Sequence, residues 1–552
     1  TTTIQATGGN ISLTANRGGT AVTGDFDGIN IDAATVTATT GNLALDGLSG
    51  NAGTSNEGIV LTNGTIISTT GVGSGTITLD GDAVSGAGDG ILIENAGTLV
   101  TSVDGAIQLT ADSGGDNGIS IMSDADVTST GLATISISGS VSDINGNNGI
   151  FIANSGTTVS SVAGDILIDG TSIGNGSADE GVQIDDSAVI SSTGTALVTI
   201  NGTSNSTSGG HGVGLLQAAQ VTSLNGNIAL TGLSSGRAGI SVVSSADVTS
   251  TGSATITIDG TVNNALGQDG VFFDGIGTVI TSTAGNILIT GSTIAAGPAD
   301  QGVEIQNGAV VSSTGTALVT IEGTSGDANG GHGVEIETAG TQVTSLNGNI
   351  TITGTSTNRN GILLTNSATI NATGSANIAM TGTAGDTDAA VQVDAPINSN
   401  TGTATITSLN GASPTDDIVF SANGDITSAS GVITINADNA GNTADVTMAN
   451  GAVINAGSGT IDIDADVDVT LGSLSTTSAS TSAVTISAIA GGVIDGGDAD
   501  TDIVANSGTV TIDAATGVGD AGNIDTQINT LDLDNTTSGN VDINETDDLN
   551  IN

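Results

Sequence analysis

One interval governs this sequence. A glycine followed by an apolar-x-apolar triplet returns at Gly28, Gly58, Gly90, Gly118, Gly149, Gly181, Gly212, Gly239, Gly270, Gly302, Gly333 and Gly361, at spacings of 27 to 32 residues. The stretch from Gly239 to Asp269 shows what lies between two markers. It holds three short runs, Ile240–Val242, Asp247–Ser250 and Thr255–Ile258, in which apolar residues alternate with Ser, Thr or Asp. Alternation with period two puts the apolar side chains on one face of a strand and the polar ones on the other. A thirty-residue unit of this kind cannot bury its own apolar face and must stack on its neighbours. The expected fold is all-β: a right-handed parallel β-helix with about 30 residues and three short strands per coil, right-handed because parallel crossovers prefer that hand.

The spacings themselves repeat. DVTSTG at Asp126 returns at Asp247, STGTALVTI at Ser192 returns at Ser313, and Gly-His-Gly at His211 returns at His332, each 121 residues on. Four coils thus form a duplicated block. An array of immunoglobulin-like sandwiches would also give a period near this length. The block, however, divides into four similar quarters, and the chain has no Trp or Tyr to anchor such a core. Three regions are expected: residues 1–27, partial coils with an open end; 28–400, regular coils; and 401–552, continuing coils that are less regular and more acidic. With no linker of changed composition, they form one rod, roughly 85–90 Å long at a strand spacing near 4.8 Å per coil. The opening TTTIQATGGN has neither Met nor an apolar signal core, as in a processed piece.

Aligned coils give columns. The first strands contribute Ile119/Ile121, Ile150/Ile152 and Val182/Ile184, and the third strands Ile135/Ile137, Ile166/Ile168 and Val198/Ile200. The second strands contribute Val127, Val159, Ile190 and Val221, each followed two residues later by a serine. Ser129, Ser161, Ser192, Ser223, Ser250, Ser282, Ser313 and Ser345 are therefore expected to point inward as a structural ladder, each hydroxyl satisfied by a neighbouring coil or by corner backbone. Glycine follows each third-strand triplet (Gly139, Gly170, Gly202, Gly232), as a turn with positive φ would require. The next segment varies in length and reads as a surface loop.

Composition narrows the partners. There are 56 acidic residues against Arg17, Arg237 and Arg359, no lysine, and a net charge of −53. Nucleic acid is excluded because phosphate binding needs a basic footprint. Anionic membrane surfaces are disfavoured, and no run approaches the roughly 20 apolar residues of a membrane span. The absence of Cys rules out a disulfide scaffold.

Candidate chemistry is sparse. Polysaccharide-cleaving sites need a base and groups that grip sugars, and this chain lacks Lys, Trp and Tyr; no enzyme is expected. His211 and His332 stand four coils apart, about 19 Å, too far to share a metal, and read as polar loop residues. Asp495, Asp498, Asp500 and Asp502 form an acidic run at a spacing that can wrap Ca²⁺, although it lacks the glycine and closing glutamate of an EF-hand. A solvated acidic face is the alternative there and along Asp462–Asp468. The Thr-x-Thr pairs, such as Thr128/Thr130, could order water as ice-binding β-helices do, but Val162, Leu224 and Leu346 break the array.

The run ATGGNISLTAN near the start and the stretch from Val504 to Ile551 resemble coils of giant bacterial surface proteins, the filamentous-haemagglutinin-like and autotransporter-passenger group. That resemblance implies a secreted or cell-surface stalk, adhesin or matrix fibre that binds its own kind, end to end or laterally, or a surface receptor. It carries over no site residue. The expectation is thus a non-catalytic extracellular structural or adhesive rod. The alternative is a Ca²⁺-dependent carbohydrate-binding or polysaccharide-degrading β-helix.

Overall fold

A computed structural model describes residues 2–17, 22–53, 55–84, 86, 88–143, 145–176, 179–264, 268–294, 300–326, 331–385, 388–409, 417–438, 443–497, 500–520 and 522–551. The chain forms two compact units, Thr1–Ala295 and Ala296–Asn552. Each is a parallel β-solenoid with three strands per coil, and no helix occurs among the described residues.

In the first unit, first strands stack from Ile29–Asp32 through Ile119–Met122 to Val271–Asp274, each paired in parallel with its counterpart one coil away. Register follows the hydrophobic pattern: Ile119 and Ile121 stand opposite Ile150 and Ile152, which stand opposite Val182 and Ile184. Slipping the pairing by one residue would turn this whole set outward, so the pattern fixes it. In one coil Ile240, Val242, Val248, Ile256, Ile258 and Val262 are all fully buried. Small β-branched residues suit an interior shared by closely apposed strands.

The corner from first to second strand is sharp. It places Ser123 and Asp124, Asp186 and Ser187, and Ser244 and Ser245 in the left-handed region. Short polar side chains tolerate that conformation through local hydrogen bonds.

The third-strand glycines do something other than turn. Gly139 lies inside the strand Ile135–Val141, and Gly170 inside Ile166–Ser172, without positive φ. A Cβ on Gly139 would stand 2.3 Å from the Gly149 carbonyl oxygen, and one on Gly170 would stand 2.1 Å from that of Gly181. Strand three passes the start of the next first strand so closely that only hydrogen fits. The marker glycines and the third-strand glycines are the two sides of one contact.

In the second unit, first strands stack from Val303–Gln306 through Ile418–Phe420 to Val493–Asp495. Coils shorten towards the C-terminus, where equivalent residues 28, 23 and 24 apart bond in succession. The 12-residue strand Ile503–Ala514 pairs with both Ser473–Ser475 and Val484–Ala488, merging the sheets of second and third strands.

Candidate functional site

The residues before the marker glycines form a row along the wall of first strands, and several of their side chains cap the coil that follows. The amide of Glu57 donates to Asp27 Oδ1 (3.2 Å), Asn117 to Asp89 Oδ1 (3.0 Å), Asn148 to Asn117 Oδ1 (3.0 Å) and Glu180 to Asn148 Oδ1 (2.9 Å). The second unit uses the same device: His332 donates to Gln301 Oε1, Asp445 to Asp417 Oδ1, Asp468 to Asp445 Oδ1 and Gly492 to Asp468 Oδ1. A residue that must leave the strand to make room for glycine has a backbone N–H that needs an acceptor, and an Asp, Asn or Gln of the previous coil supplies one.

Ionisation is strongly perturbed along this row. Burial, with Asp27 alongside, pushes Glu57 up to about 8. Burial and the nearby Asp116 charge push Asp89 up to about 7, against the hydrogen bonds it accepts. Burial raises Glu180 to about 7 while Arg237 pulls the other way. His211 and His332 are lowered to about 4, by burial first and then by Arg237 and Arg359 respectively. Desolvation disfavours whichever form is charged, which explains both directions.

The histidines are therefore not exposed loop residues. His211 is 7% exposed and His332 5%, and in each the ring Nδ1 is buried without a hydrogen-bond partner. On the preceding rung, Glu180 is 3% exposed with Oε2 in the same condition. Both side chains flank Gly214: a Cβ there would lie 3.6 Å from Glu180 Cγ and 3.9 Å from His211 Cδ2. In the second unit Gln301 replaces Glu180, and Glu335 takes the place equivalent to Gly214. Gln301 Nε2 donates to Glu335 Oε2 at 2.7 Å, and burial followed by the Glu337 charge raises Glu335 to about 7. Around one point of the row the first unit thus carries a histidine, a glutamate and an exposed arginine, and the second a histidine, the paired Glu304 and Glu335 and an exposed arginine. The chain has only two histidines and three arginines, so both histidines and two arginines are spent here. In the sequence this row shows only as the residue type before each marker glycine.

Arg17 does different work. Its guanidinium bridges Asp46, Asp80 and Asp82 from two successive coils.

The expected serine column is buried, every member 3% exposed or less, and stacks in register as Ser129, Ser161, Ser192, Ser223, Ser250 and Ser282 in the first unit and Ser313 and Ser345 in the second. Satisfaction alternates, and the sequence says why. Where the corner reads S-x-x-G, the hydroxyl donates to that glycine's carbonyl, as Ser161 does to Gly164, Ser223 to Gly226, Ser282 to Gly285 and Ser345 to Gly348. Where it reads S-T-G-x-A, the corner is one residue longer and ends in a buried alanine. There the hydroxyls of Ser129, Ser192, Ser250 and Ser313 have no partner.

Of the acidic run, Asp498 lies outside the described residues. Asp495 Oδ1 accepts from Gly497 N (2.9 Å), and buried Asp502 caps the amide of Asp525 (2.7 Å). Among the described residues, no three His, Asp or Glu side chains gather closely enough to hold a metal.

Comparison with known proteins returned no matching family model, no matching characterised sequence and no matching solved structure.

Proposed function

We propose that this chain is a non-catalytic structural or adhesive rod on, or released from, a bacterial surface, acting through length, stiffness and negative charge. The observation that carries the reading is the in-register pairing of every strand type with its counterpart, reinforced by side chains that cap the next coil. Such a wall resists bending because each coil is bonded all round to its neighbours. One outward column of the third strands (Asp169, Asn201, Thr231, Asp259) is short and polar, suited to a solvated face. Among the described residues no helix is long and apolar enough to cross a membrane. Its partners in this reading are further copies of itself or a surface or matrix receptor. Ca²⁺ held by Asp495, Asp498, Asp500 and Asp502 would tie the C-terminal coils together.

Electron microscopy of the purified chain, with and without Ca²⁺ and chelator, tests this. Straight particles lengthened by about 4.8 Å per added coil support the rod, and filaments that chelator disperses support metal-linked assembly. Compact globules would refute it.

A polar depression of about 580 Å³ in the second unit, lined by Asn506, Gln527, Asn529, Asp547 and Asp548, favours carbohydrate binding as a second reading. Amides and carboxylates are the groups that bond sugar hydroxyls. Glycan-array binding lost on Gln527→Ala would favour it over a passive spacer.

A further inference from the structure

We propose that Glu180 with His211 in the first unit, and Glu335 with His332 in the second, each bind a divalent first-row transition metal ion of the Zn²⁺, Ni²⁺ or Cu²⁺ class.

Buried polar atoms in folded proteins nearly always have partners. Here three without one, Glu180 Oε2, His211 Nδ1 and His332 Nδ1, fall on equivalent rungs of the row in two units. One imidazole nitrogen and one carboxylate oxygen from adjacent rungs make a mixed donor pair, which suits borderline metals better than Ca²⁺. The remaining positions would go to water, so binding is weaker than at a three- or four-residue site.

Comparing the two units strengthens the assignment. The 121-residue block is repeated closely, yet Glu180 has become Gln301. The loss is matched by two gains, Gly214 becoming Glu335 and Gln183 becoming Glu304, which stand opposite each other on neighbouring first strands. A row that needed only an amide acceptor would be served by Gln301 alone. In the second unit the Gln301 amide holds Glu335, the way outer groups orient a metal's ligands. The first-unit site is faced by Asp179, Asp185 and Arg237, and the second by Glu304, Glu337 and Arg359. The arginines oppose a cation and keep affinity modest.

Titration of the full-length chain with ZnCl₂ and NiCl₂ in a calorimeter at pH 7.5, in excess Ca²⁺, should show two sites per chain. His211→Ala and His332→Ala should each remove one. Glu180→Gln should weaken the first roughly tenfold and leave the second unchanged, and Arg237→Gln should tighten the first about fivefold by removing a repelling charge. Because the alanine variants could loosen their coils, ¹⁵N-histidine NMR of the unaltered protein provides the second arm, with Zn²⁺ expected to shift Nδ1 in both residues. No binding below about 1 mM, undiminished binding in the double histidine variant, or shifts confined to Nε2 would each overturn the proposal. None of these results bears on whether the chain acts as a rod.

Discussion

Replacing Asp89 with asparagine should stabilise its coil, and only where the carboxylate would be charged. The side chain is 7% exposed, and its Oδ1 caps the Asn117 amide. The two following coils already carry Asn117 and Asn148 at this position, each performing the same cap with an amide oxygen. The substitution therefore keeps the acceptor and deletes the charge. Burial raises Asp89 from 3.8 to about 7, so the folded chain favours the protonated acid. That contribution is fully present below the unfolded value of 3.8 and is lost as pH rises through about 7; above that, the wild type carries the whole penalty. Each pH unit of displacement is worth about 1.4 kcal/mol, which gives an upper limit near 4 kcal/mol at pH 8. Relaxation around the charge should leave about 2 kcal/mol to be measured. Because coils of a solenoid open locally, hydrogen exchange at Ile91, Asn117 and Ile119 is the appropriate assay. Those amides should exchange about thirtyfold more slowly in Asp89→Asn than in wild type at pH 8, and equally at pH 4, after correction for intrinsic rates. Equal stabilisation at both pH values, or faster exchange at pH 8, would show that the buried charge is not what strains this row.

Other outcomes follow from the columns. Ser223→Ala should cost about 1 kcal/mol in denaturant unfolding, since it breaks a made hydrogen bond, while Ser192→Ala should be neutral or slightly stabilising, since it removes an unpaired buried hydroxyl; Ala372 already occupies this position above an alanine corner. Gly170→Ala should abolish folding of its coils by circular dichroism, because its Cβ would meet the Gly181 carbonyl, whereas Gly8→Ala, with open space around it, should be silent. Arg17→Gln should loosen the first coils by about 1 kcal/mol at low salt and by less at 0.5 M NaCl, because the pairs with Asp46, Asp80 and Asp82 are part-exposed and screened.

The fold was legible because one face of every strand is apolar and the markers recur. Ile119, Ile150 and Val182 could be aligned by eye, and the register they imply is the register formed. Burial of the serines was legible for the same reason, since Ser129 follows Val127 by two. What escaped were relations between coils that pattern alone does not express. The function of Gly139 depends on a carbonyl ten residues away in sequence and 2.3 Å from where a Cβ would stand. A histidine between two glycines looks like loop, yet His211 and His332 are both buried, with glycine or glutamate alike at the strand position three residues on. Whether a ladder serine is satisfied depends on a one-residue difference in the corner behind it, visible in the text as S-x-x-G against S-T-G-x-A but meaningless until the carbonyls are placed.

That same difference restricts how such a chain can grow or shrink. Gly164 stands over Ala133, Gly226 over Ala196 and Gly348 over Ala317, each where a Cβ would meet the alanine's carbonyl oxygen. Gly431 over Gly402 shows that glycine also seats on glycine, but no alanine corner sits on another among the described coils. Excising one glycine-corner coil would force that forbidden stacking, while removing two adjacent coils restores the old neighbours. Within the alternating stretch, deletions that survive should therefore never remove a glycine-corner coil by itself, a rule the duplicated four-coil block obeys.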